Sequence, residues 1–403
     1  MPRLTRWLLG LFVFTIPFDQ AFTLPGVGSL SRAVGLAVAA FGVLTVLSGD
    51  TVRLRRPSLF LLCATLFVAW SAMSVLWGID RVASAMQAFT FVQLLVLAWL
   101  IWSFVDTSAR AGGLRWAYML GTWFTIGTVV WNYLNQNPTV DPSRFTAFDT
   151  NANYTALNMV LAIPMAFDAA VHARGWARLP ALLLVPASLY AISLTASRSA
   201  ALSTVLVVIG CIVLIVRAKP VVKVVILTVL VAVVAAFATT LPERTLRRLA
   251  GTLTEVEGGD FSGRGWIWGA GVEAWLLDPA LGAGAGNFNR AVVPTLGSAR
   301  SAHNSFLALL VELGPLGPAL FLLLFVVAFW PYATLLSGRA PPEARRYAAL
   351  HTVLLLMLLL AQLPATWHYQ RVTWFVLVAA TLDHAVYLRL TRPVRARSAA
   401  DAA

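Results

Sequence analysis

The sequence predicts an all-α polytopic membrane protein with about twelve transmembrane helices and one long loop that contains short helices. Hydrophobic residues make up 59% of the 403 residues, charged residues only 12%, and the mean hydropathy is +0.78. Soluble proteins carry roughly 25% charged residues. The apolar residues also fall into runs of about 20, the length at which a helix crosses a bilayer.

The predicted spans divide the chain into three parts. Nine spans form an N-terminal bundle over 1–240, the long loop occupies 241–304, and three spans and a tail follow over 305–403. The seventh and eighth spans are separated by a polar hinge at 195–198 and are expected to form a tight antiparallel hairpin. Eleven spans with one re-entrant segment are the alternative count. The twelve spans are predicted at 7–23, 28–48, 58–77, 84–104, 114–134, 152–171, 179–196, 199–217, 220–240, 305–332, 347–366 and 372–390.

The basic residues indicate how the chain crosses the membrane. With both termini inside, the inner segments hold 19 of the 30 Lys and Arg residues, and the short outer loops hold 5. Short cytoplasmic loops are enriched in Lys and Arg, so both termini are predicted to be cytoplasmic and the 241–304 loop to face outside. Topology also accounts for the net charge of +13, and no nucleic acid is expected as a partner. The apolar N-terminus is interpreted as a span because no small-residue cleavage site follows it.

Several kinds of site are disfavoured. Cys63 and Cys211 both lie in apolar runs, which excludes a disulfide framework and a Cys metal site. The outer carboxylates are scattered without a D-x-D pattern, so we predict a site that needs no metal and no cofactor. The G-x-G-x-G turn at 282–286 lacks the lysine and spacing of nucleotide loops and is interpreted as a turn that shapes access to the site.

The long loop is predicted to carry two helices. The first is a short basic helix from 241 to about 253. The second spans 263–277, with Ser262 as its N-cap and a stop at Asp278-Pro279, and its apolar side chains favour the membrane interface. Arg264 falls in the first turn of this helix, where an anion would favour both the guanidinium and the helix N–H groups. A shorter outer loop, about 135–151, carries Arg144 among polar residues suited to hydroxyl-rich ligands.

Few side chains on the outer side are able to carry chemistry. His303 and His368 are the only histidines expected there, hence the only imidazoles available as general bases near neutral pH. Beside Trp367 and Tyr369, His368 fits an interfacial aromatic belt better than catalysis. Arg198 lies at the outer edge between two apolar runs, and with Arg264 it forms an arginine pair suited to a diphosphate. Glu312 is interpreted either as an orienter of another polar residue or as an interior structural carboxyl.

Three sequence elements resemble those of a known family. Residues 198–202 match an R-x3-L element, and residues 303–317 match H-[N/S/Q]-x9-G-x-x-G. Residues 262–268 resemble the start of a conserved loop region. Together these elements resemble the O-antigen ligase family of Gram-negative inner membranes, within the O-antigen ligase/polymerase superfamily.

The resemblance implies a glycosyltransferase that completes lipopolysaccharide at the periplasmic face of the bacterial inner membrane. O-antigen on undecaprenyl diphosphate would be the donor, and a sugar hydroxyl of lipid A–core the acceptor. His303 would activate that hydroxyl, and Arg198 and Arg264 would stabilise the departing diphosphate, with inversion and without ATP, metal or cofactor. Further contacts to the diphosphate or glycan are expected from Arg371, Asn304, Trp266, Trp268 and Arg144.

Other functions remain open from the sequence. An O-antigen polymerase uses the same donor with a second undecaprenyl-linked chain as acceptor. A protein O-oligosaccharyltransferase shares similar elements but is usually longer, with an added periplasmic domain. A multispan lipid or polysaccharide transporter also has about twelve spans, but places ionisable groups near the bilayer midplane rather than at the outer rim. The sequence leaves open whether His303 is the base or binds the acceptor.

Overall fold

The computed structural model describes residues 3–48, 54–139, 141–148, 150–216, 218–251, 264–336 and 340–400. Seventeen α-helices lie in these ranges, and 76% of the residues are helical, which confirms the all-α class. The one sheet in the described ranges is the short antiparallel pair β1 (Thr23–Leu24) and β2 (Gly28–Ser29). The helices before the long loop are α1 (Arg3–Thr15), α2 (Leu30–Leu47), α3 (Leu59–Met73), α4 (Arg81–Phe104), α5 (Ser108–Leu134), α6 (Ala152–His172), α7 (Arg178–Leu194), α8 (Arg198–Gly210) and α9 (Pro220–Ala238).

Eight helices follow α9. Four belong to the loop and are short: α10 (Glu243–Ala250), α11 (Gly265–Leu277), α12 (Phe288–Ala291) and α13 (Val293–Leu296). Four end the chain: α14 (Ser305–Leu313), α15 (Leu316–Leu335), α16 (Pro342–Ala361) and α17 (Arg371–Ala400). The described part of the predicted first loop helix, α10, ends at Ala250. Its remaining predicted residues from 252 onward, and the predicted cap Ser262, lie outside the described ranges.

Nine described helices are long and apolar enough to cross a membrane, judged by length and composition. They are α2, α3, α4, α6, α7, α8 with its π-helical extension Cys211–Ile215, α9, α15 and α16. A multi-pass membrane protein is therefore supported, whereas the count of twelve stays a prediction, as does the division at 240 and 304. The other three predicted spans coincide with α1, α5 and α17, and the predicted span that contains α15 is described next.

The predicted tenth span, 305–332, is wrong as a continuous helix. Gly314 interrupts it with φ +62°, a left-handed conformation that glycine adopts without steric cost. A Cβ at Gly314 would lie 2.1 Å from the carbonyl oxygen of Ala280. The long loop therefore packs closely against the chain at this break. The nine residues of α14 span only about 14 Å, too short to cross a bilayer. Helix α14 is therefore part of the outer layer that carries the site.

The core is centred on α6, which packs against α5, α7, α8 and α16. Leu157, Met159 and Val160 are fully buried, and so are most residues of the next turn. The predicted hairpin of the seventh and eighth spans is correct in its hinge, since α7 ends at Leu194 and α8 begins at Arg198. The two helices are not tightly paired, however, because α8 packs mainly against α6 and α16. This arrangement sets the N-termini of α6 and α8 side by side.

Candidate functional site

The N-termini of α6 and α8 meet through a small polar network. The side chain of Asn151 caps α6, accepting from the N–H of Asn153 at 3.0 Å. The hydroxyl of Ser197, which precedes α8, does not cap its own helix and donates to Asn153 Oδ1 at 2.9 Å. The first turn of a helix has N–H groups without intrahelical partners and carries a partial positive charge. The start of α8 therefore lacks a side-chain cap and favours an anion.

Arg198 is the first residue of α8 and lies directly at this helix end. Its Nε donates to the backbone carbonyl of Arg248 at 2.9 Å. Helix α10 is held in turn by Thr245, whose hydroxyl donates to Ser143 O at 2.8 Å, and by an Arg248–Asp141 ion pair of 2.7 Å. Arg198 is half-buried beneath the end of α10. Arg248, which was not predicted as a site residue, therefore contacts Arg198, which was.

Arg144 joins the same cluster from the shorter outer loop. Its Nε donates to Thr195 O at 3.0 Å and its Nη2 to Asn153 Oδ1 at 2.8 Å. The pKa of Arg144 is lowered to about 10, mainly by burial and next by the charge of Arg248, whereas Asp141 opposes the shift. The charges of Arg264 and Arg198 also lower its pKa, so three other guanidinium groups repel that of Arg144. A polyvalent anion would relieve this repulsion.

Arg264 follows α10 in the long loop, and its charge also acts on Arg144. It immediately precedes α11 rather than lying in its first turn, because the helix begins two positions later than predicted. Its Nη1 donates to the carbonyl of Pro364 at 3.0 Å, and burial lowers its pKa. The guanidinium acts electrostatically on Tyr154, Arg144 and His303. Arg264 therefore links the arginine cluster to the histidine.

His303 is distinguished by its backbone conformation and by the hydrogen bonding of its imidazole. Its φ of +47° is a left-handed conformation that costs an L-residue about 1–2 kcal/mol. Within the described ranges its imidazole has no hydrogen-bond partner. Burial lowers the pKa of His303 and the charge of Arg264 lowers it further, so the imidazole is neutral at pH 7. A neutral imidazole nitrogen accepts a proton.

The second candidate imidazole, His368, is inaccessible. It is only 1% exposed and lies among aromatic rings, including Phe91 and Phe321. The predicted place in an interfacial belt is therefore wrong, because the side chain is inside the bundle rather than at its surface. His303, by contrast, is half-buried.

The residues around His303 are structural supports. Trp268 Nε1 donates to the carbonyl of Ala302 at 2.9 Å and so fixes the residue before His303. Asn304 Oδ1 accepts from the N–H groups of Phe306 and Leu307, both at 3.0 Å, and caps α14. Its carboxamide oxygen is thus engaged, and the predicted contact of Asn304 to a glycan stays a prediction.

Two other predicted contacts lie apart from the arginine cluster. Trp266 is 51% exposed, and the guanidinium of Arg300 lies 6.0 Å from the centre of its ring. Arg371 forms an ion pair with Asp19, which also accepts from Ser29 and Ser31. The ion pair anchors α17 to the N-terminal segment. The predicted contact of Arg371 to a phosphate stays a prediction.

The glycine turn at 282–286 docks the loop on the bundle. Ala283 N–H donates to Val311 O and Gly284 N–H to Glu312 O, both at 2.8 Å, while the carbonyl of Ala283 accepts from Ile79 at 3.0 Å. A Cβ at Gly284 would lie 2.4 Å from Gly78 Cα, so only glycine fits. The turn therefore attaches the long loop to the corner between α3 and α4. This differs from the predicted role of shaping access to the site.

Glu312 belongs to the same attachment. Its Oε1 accepts from the N–H of Phe288 at 3.2 Å, at the start of α12, and its side chain is 5% exposed. Of the two interpretations of Glu312, the interior structural carboxyl is the one that this contact favours.

Three residues of the cluster are missing from the predictions: Arg248, Asn153 and Tyr154. Tyr154 donates to Thr366 O at 3.3 Å and is electrostatically coupled to Arg264. The N-cap pattern of Asn151 signalled the start of α6, and with it the outer position of Asn153 and Tyr154. No three His, Cys, Asp or Glu residues in the described part of the chain are grouped to hold a metal ion. Metal independence itself stays a prediction.

Comparison with known proteins identifies the region that carries this site. A family model described as O-antigen ligase matches residues 181–322, from α7 into α15. The match confirms the predicted resemblance, and the matched stretch includes Arg198, Arg264 and His303. A search of curated proteins gives no match.

Proposed function

We propose that this chain, which carries an O-antigen ligase domain over 181–322, transfers O-antigen from undecaprenyl diphosphate to a sugar hydroxyl of lipid A–core. The family match supports glycosyl transfer of the ligase or polymerase type. The choice of donor, acceptor and face of the membrane is our proposal. The reaction would take place at the periplasmic face of the inner membrane, with no metal, ATP or other cofactor.

The arginine cluster is the observation that carries this proposal. Three arginines and one aspartate act on the charge of Arg144, beside the start of α8, which lacks a side-chain cap. Guanidinium groups bind phosphate oxygens in a bidentate manner and stay charged. A diphosphate with its negative oxygens would pair with Arg198, Arg264 and Arg248, and Arg248 would then exchange Asp141 for phosphate. The cluster would also stabilise the charge that develops as the diphosphate leaves.

His303 would act as the general base of the reaction. The acceptor hydroxyl would approach the neutral imidazole, whose pKa is lowered by burial and by Arg264. As the hydroxyl oxygen forms its bond to the anomeric carbon, its proton passes to His303, and the bond from that carbon to the diphosphate oxygen breaks. Undecaprenyl diphosphate leaves with the bonding electron pair. A single displacement of this kind inverts the anomeric configuration.

An in vitro transfer assay tests the function. Purified protein would be incubated with lipid A–core and an undecaprenyl-diphosphate glycan, in EDTA and without nucleotides, and the products separated on gels. We expect slower-migrating lipopolysaccharide. Longer undecaprenyl-linked chains without a lipid A–core product would instead identify a polymerase, and absence of transfer to either acceptor would contradict the proposal.

Neighbouring arginines on α10 provide a matched pair of variants. Arg248 belongs to the cluster, whereas Arg247 is exposed and pairs with Glu243 on the same helix. We expect Arg248→Gln to lower kcat/KM about ten- to a hundredfold, since a charge-assisted hydrogen bond contributes roughly 1.5–3 kcal/mol. Arg247→Gln should leave transfer unchanged. Equal effects of the two substitutions would show that Arg248 does not contact the donor.

A further inference from the structure

A second potential binding site lies at the opposite end of the molecule, between α1 and α5. The C-terminal end of α5 adjoins the candidate site, where Asn132 Nδ2 donates to Thr146 O at 2.7 Å. With 27 residues, α5 is about 40 Å long, so its N-terminal end lies far from the arginine cluster. At that end α1 and α5 enclose a groove of about 800 Å³. This volume is in the range of ligand sites, roughly 300–1,000 Å³.

The groove extends from a close contact between the two helices toward their N-terminal ends. At Gly121 a Cβ would lie 2.0 Å from the carbonyl oxygen of Phe14, so the helices are in close contact there. One to two turns toward the N-termini, a Cβ at Gly10 or Gly113 would meet no atom within 4 Å. These two glycines therefore do not serve helix packing. Each costs its helix about 1 kcal/mol relative to alanine, and each keeps the groove open.

The lining of the groove matches an anionic lipid. Its walls are mainly apolar and include the indole rings of Trp7 and Trp116, and Trp7 is 76% exposed. Two arginines, Arg6 and Arg110, line the groove near the N-terminal ends of α1 and α5. Tryptophan and arginine are typical of the level at which lipid headgroups lie. Basic pockets between transmembrane helices bind acidic headgroups.

One carboxylate near the groove needs to be taken into account. Asp106 pairs with Arg110 one helical turn away, and both side chains are partly exposed. An exposed pair of this kind contributes little, and a guanidinium has five N–H donors, so Arg110 is able to bind a phosphate as well. Asp106 is not part of the groove lining, whereas Arg6 is. The charge at the polar end therefore remains positive.

We propose that this groove binds one anionic diacyl phospholipid, with the phosphate at Arg6 and Arg110 and an acyl chain along Gly10 and Gly113. The site is independent of glycosyl transfer and of the residues proposed for it. Its occupant would contact both α1 and α5 near their N-terminal ends.

Native mass spectrometry of the full-length protein in mild detergent tests this site. Phosphatidylglycerol and phosphatidylethanolamine would be added in equal amounts, and the retained lipid quantified. We expect wild-type protein to retain one phosphatidylglycerol in preference. Gly113→Leu and Gly10→Leu should abolish retention, because leucine would fill the groove, and both variants should fold, because no atom lies within 4 Å of the new Cβ.

Two further variants give the controls. Gly127→Leu lies on α5 outside the groove, also with no atom within 4 Å of its Cβ, and should retain lipid as wild type does. Arg6→Gln with Arg110→Gln should reduce the preference for phosphatidylglycerol, by up to about thirtyfold for two basic residues at a membrane surface. Equal retention of the two lipids by wild type would overturn the proposal. So would normal retention by Gly113→Leu, or equal loss in Gly127→Leu.

Discussion

Replacing His303 by asparagine separates its chemical role from its backbone role. The residue holds φ +47°, and asparagine adopts this conformation more readily than alanine does. His303→Asn should therefore keep the fold, whereas His303→Ala should destabilise it by about 1 kcal/mol relative to asparagine. With the alanine variant alone, a loss of activity due to lower stability would be indistinguishable from a loss due to the missing imidazole.

The expected loss of activity follows from the free imidazole. A positioned general base contributes about 10²- to 10⁴-fold to the rate, or roughly 3–5 kcal/mol of transition-state stabilisation. Because the His303 imidazole has no hydrogen-bond partner in the described ranges, the substitution breaks no hydrogen bond there. We therefore expect kcat to fall by that factor in the transfer assay while the Tm stays close to that of wild type.

The pH profile provides an independent readout. The pKa of His303 lies below its ordinary value near 6.5, so more than about three quarters of the imidazole is neutral at pH 7. As pH falls through this lowered pKa, the imidazole gains a proton and the rate should fall, with a midpoint below pH 6.5. Arg264→Gln removes one cause of the shift and should move the midpoint upward, although the remaining rate is low.

Two results would refute the role of His303 as the base. One is a His303→Asn variant that retains wild-type kcat with the same acceptor. The other is an acidic limb that is unchanged in His303→Asn, since the titrating group would then lie elsewhere. A raised KM with unchanged kcat would instead assign His303 to acceptor binding.

Further predictions concern stability, measured by thermal unfolding in detergent. Gly284→Ala should destabilise the protein by about 2–5 kcal/mol, because its Cβ would meet Gly78 Cα at 2.4 Å in addition to the strain of a positive φ. Gly297→Ala, at φ +67° with no atom within 4 Å, should cost only about 1–2 kcal/mol, and equal losses would argue against the docking role of the turn. Asp168→Asn should cost about 2–3 kcal/mol, because it breaks the paired hydrogen bonds from Arg346 at 2.7 and 2.8 Å. Asp106→Asn, in an exposed pair, should cost less than about 1 kcal/mol, and similar effects at the two aspartates would contradict this assignment.

The sequence was sufficient to predict the helical class, and it indicated three polar residues that the fold brings near one another, for identifiable reasons. Apolar runs of membrane length predicted the helical class. Arg198, Arg264 and His303 each stand at the border of an apolar run or loop helix, and these borders are what the folded chain gathers at one end. The break within 305–332 was also signalled, since Gly314-Pro315 is a dipeptide that favours a turn. The apolar composition on both sides outweighed that signal in the prediction.

What the sequence did not reveal depends on pairings between distant residues. Arg371 was predicted without its partner Asp19, which lies 352 positions earlier in the chain. Arg248 resembled the exposed Arg247, because only the fold places Asp141 and Arg198 next to one of them. No local pattern distinguishes such cases, since the partner is supplied by another part of the chain.

The contacts of Arg264 and Ser305 have a consequence for biosynthesis. Arg264 is held by the carbonyl of Pro364, and Ser305 by Gln362 and Ala365, all residues that leave the ribosome about 60 to 100 positions later. A nascent chain that has already exposed its arginines and histidine therefore lacks the groups that fix them. The segment that carries Arg264 and Ser305 therefore gains these contacts only after α16 and the residues that follow it have been synthesised.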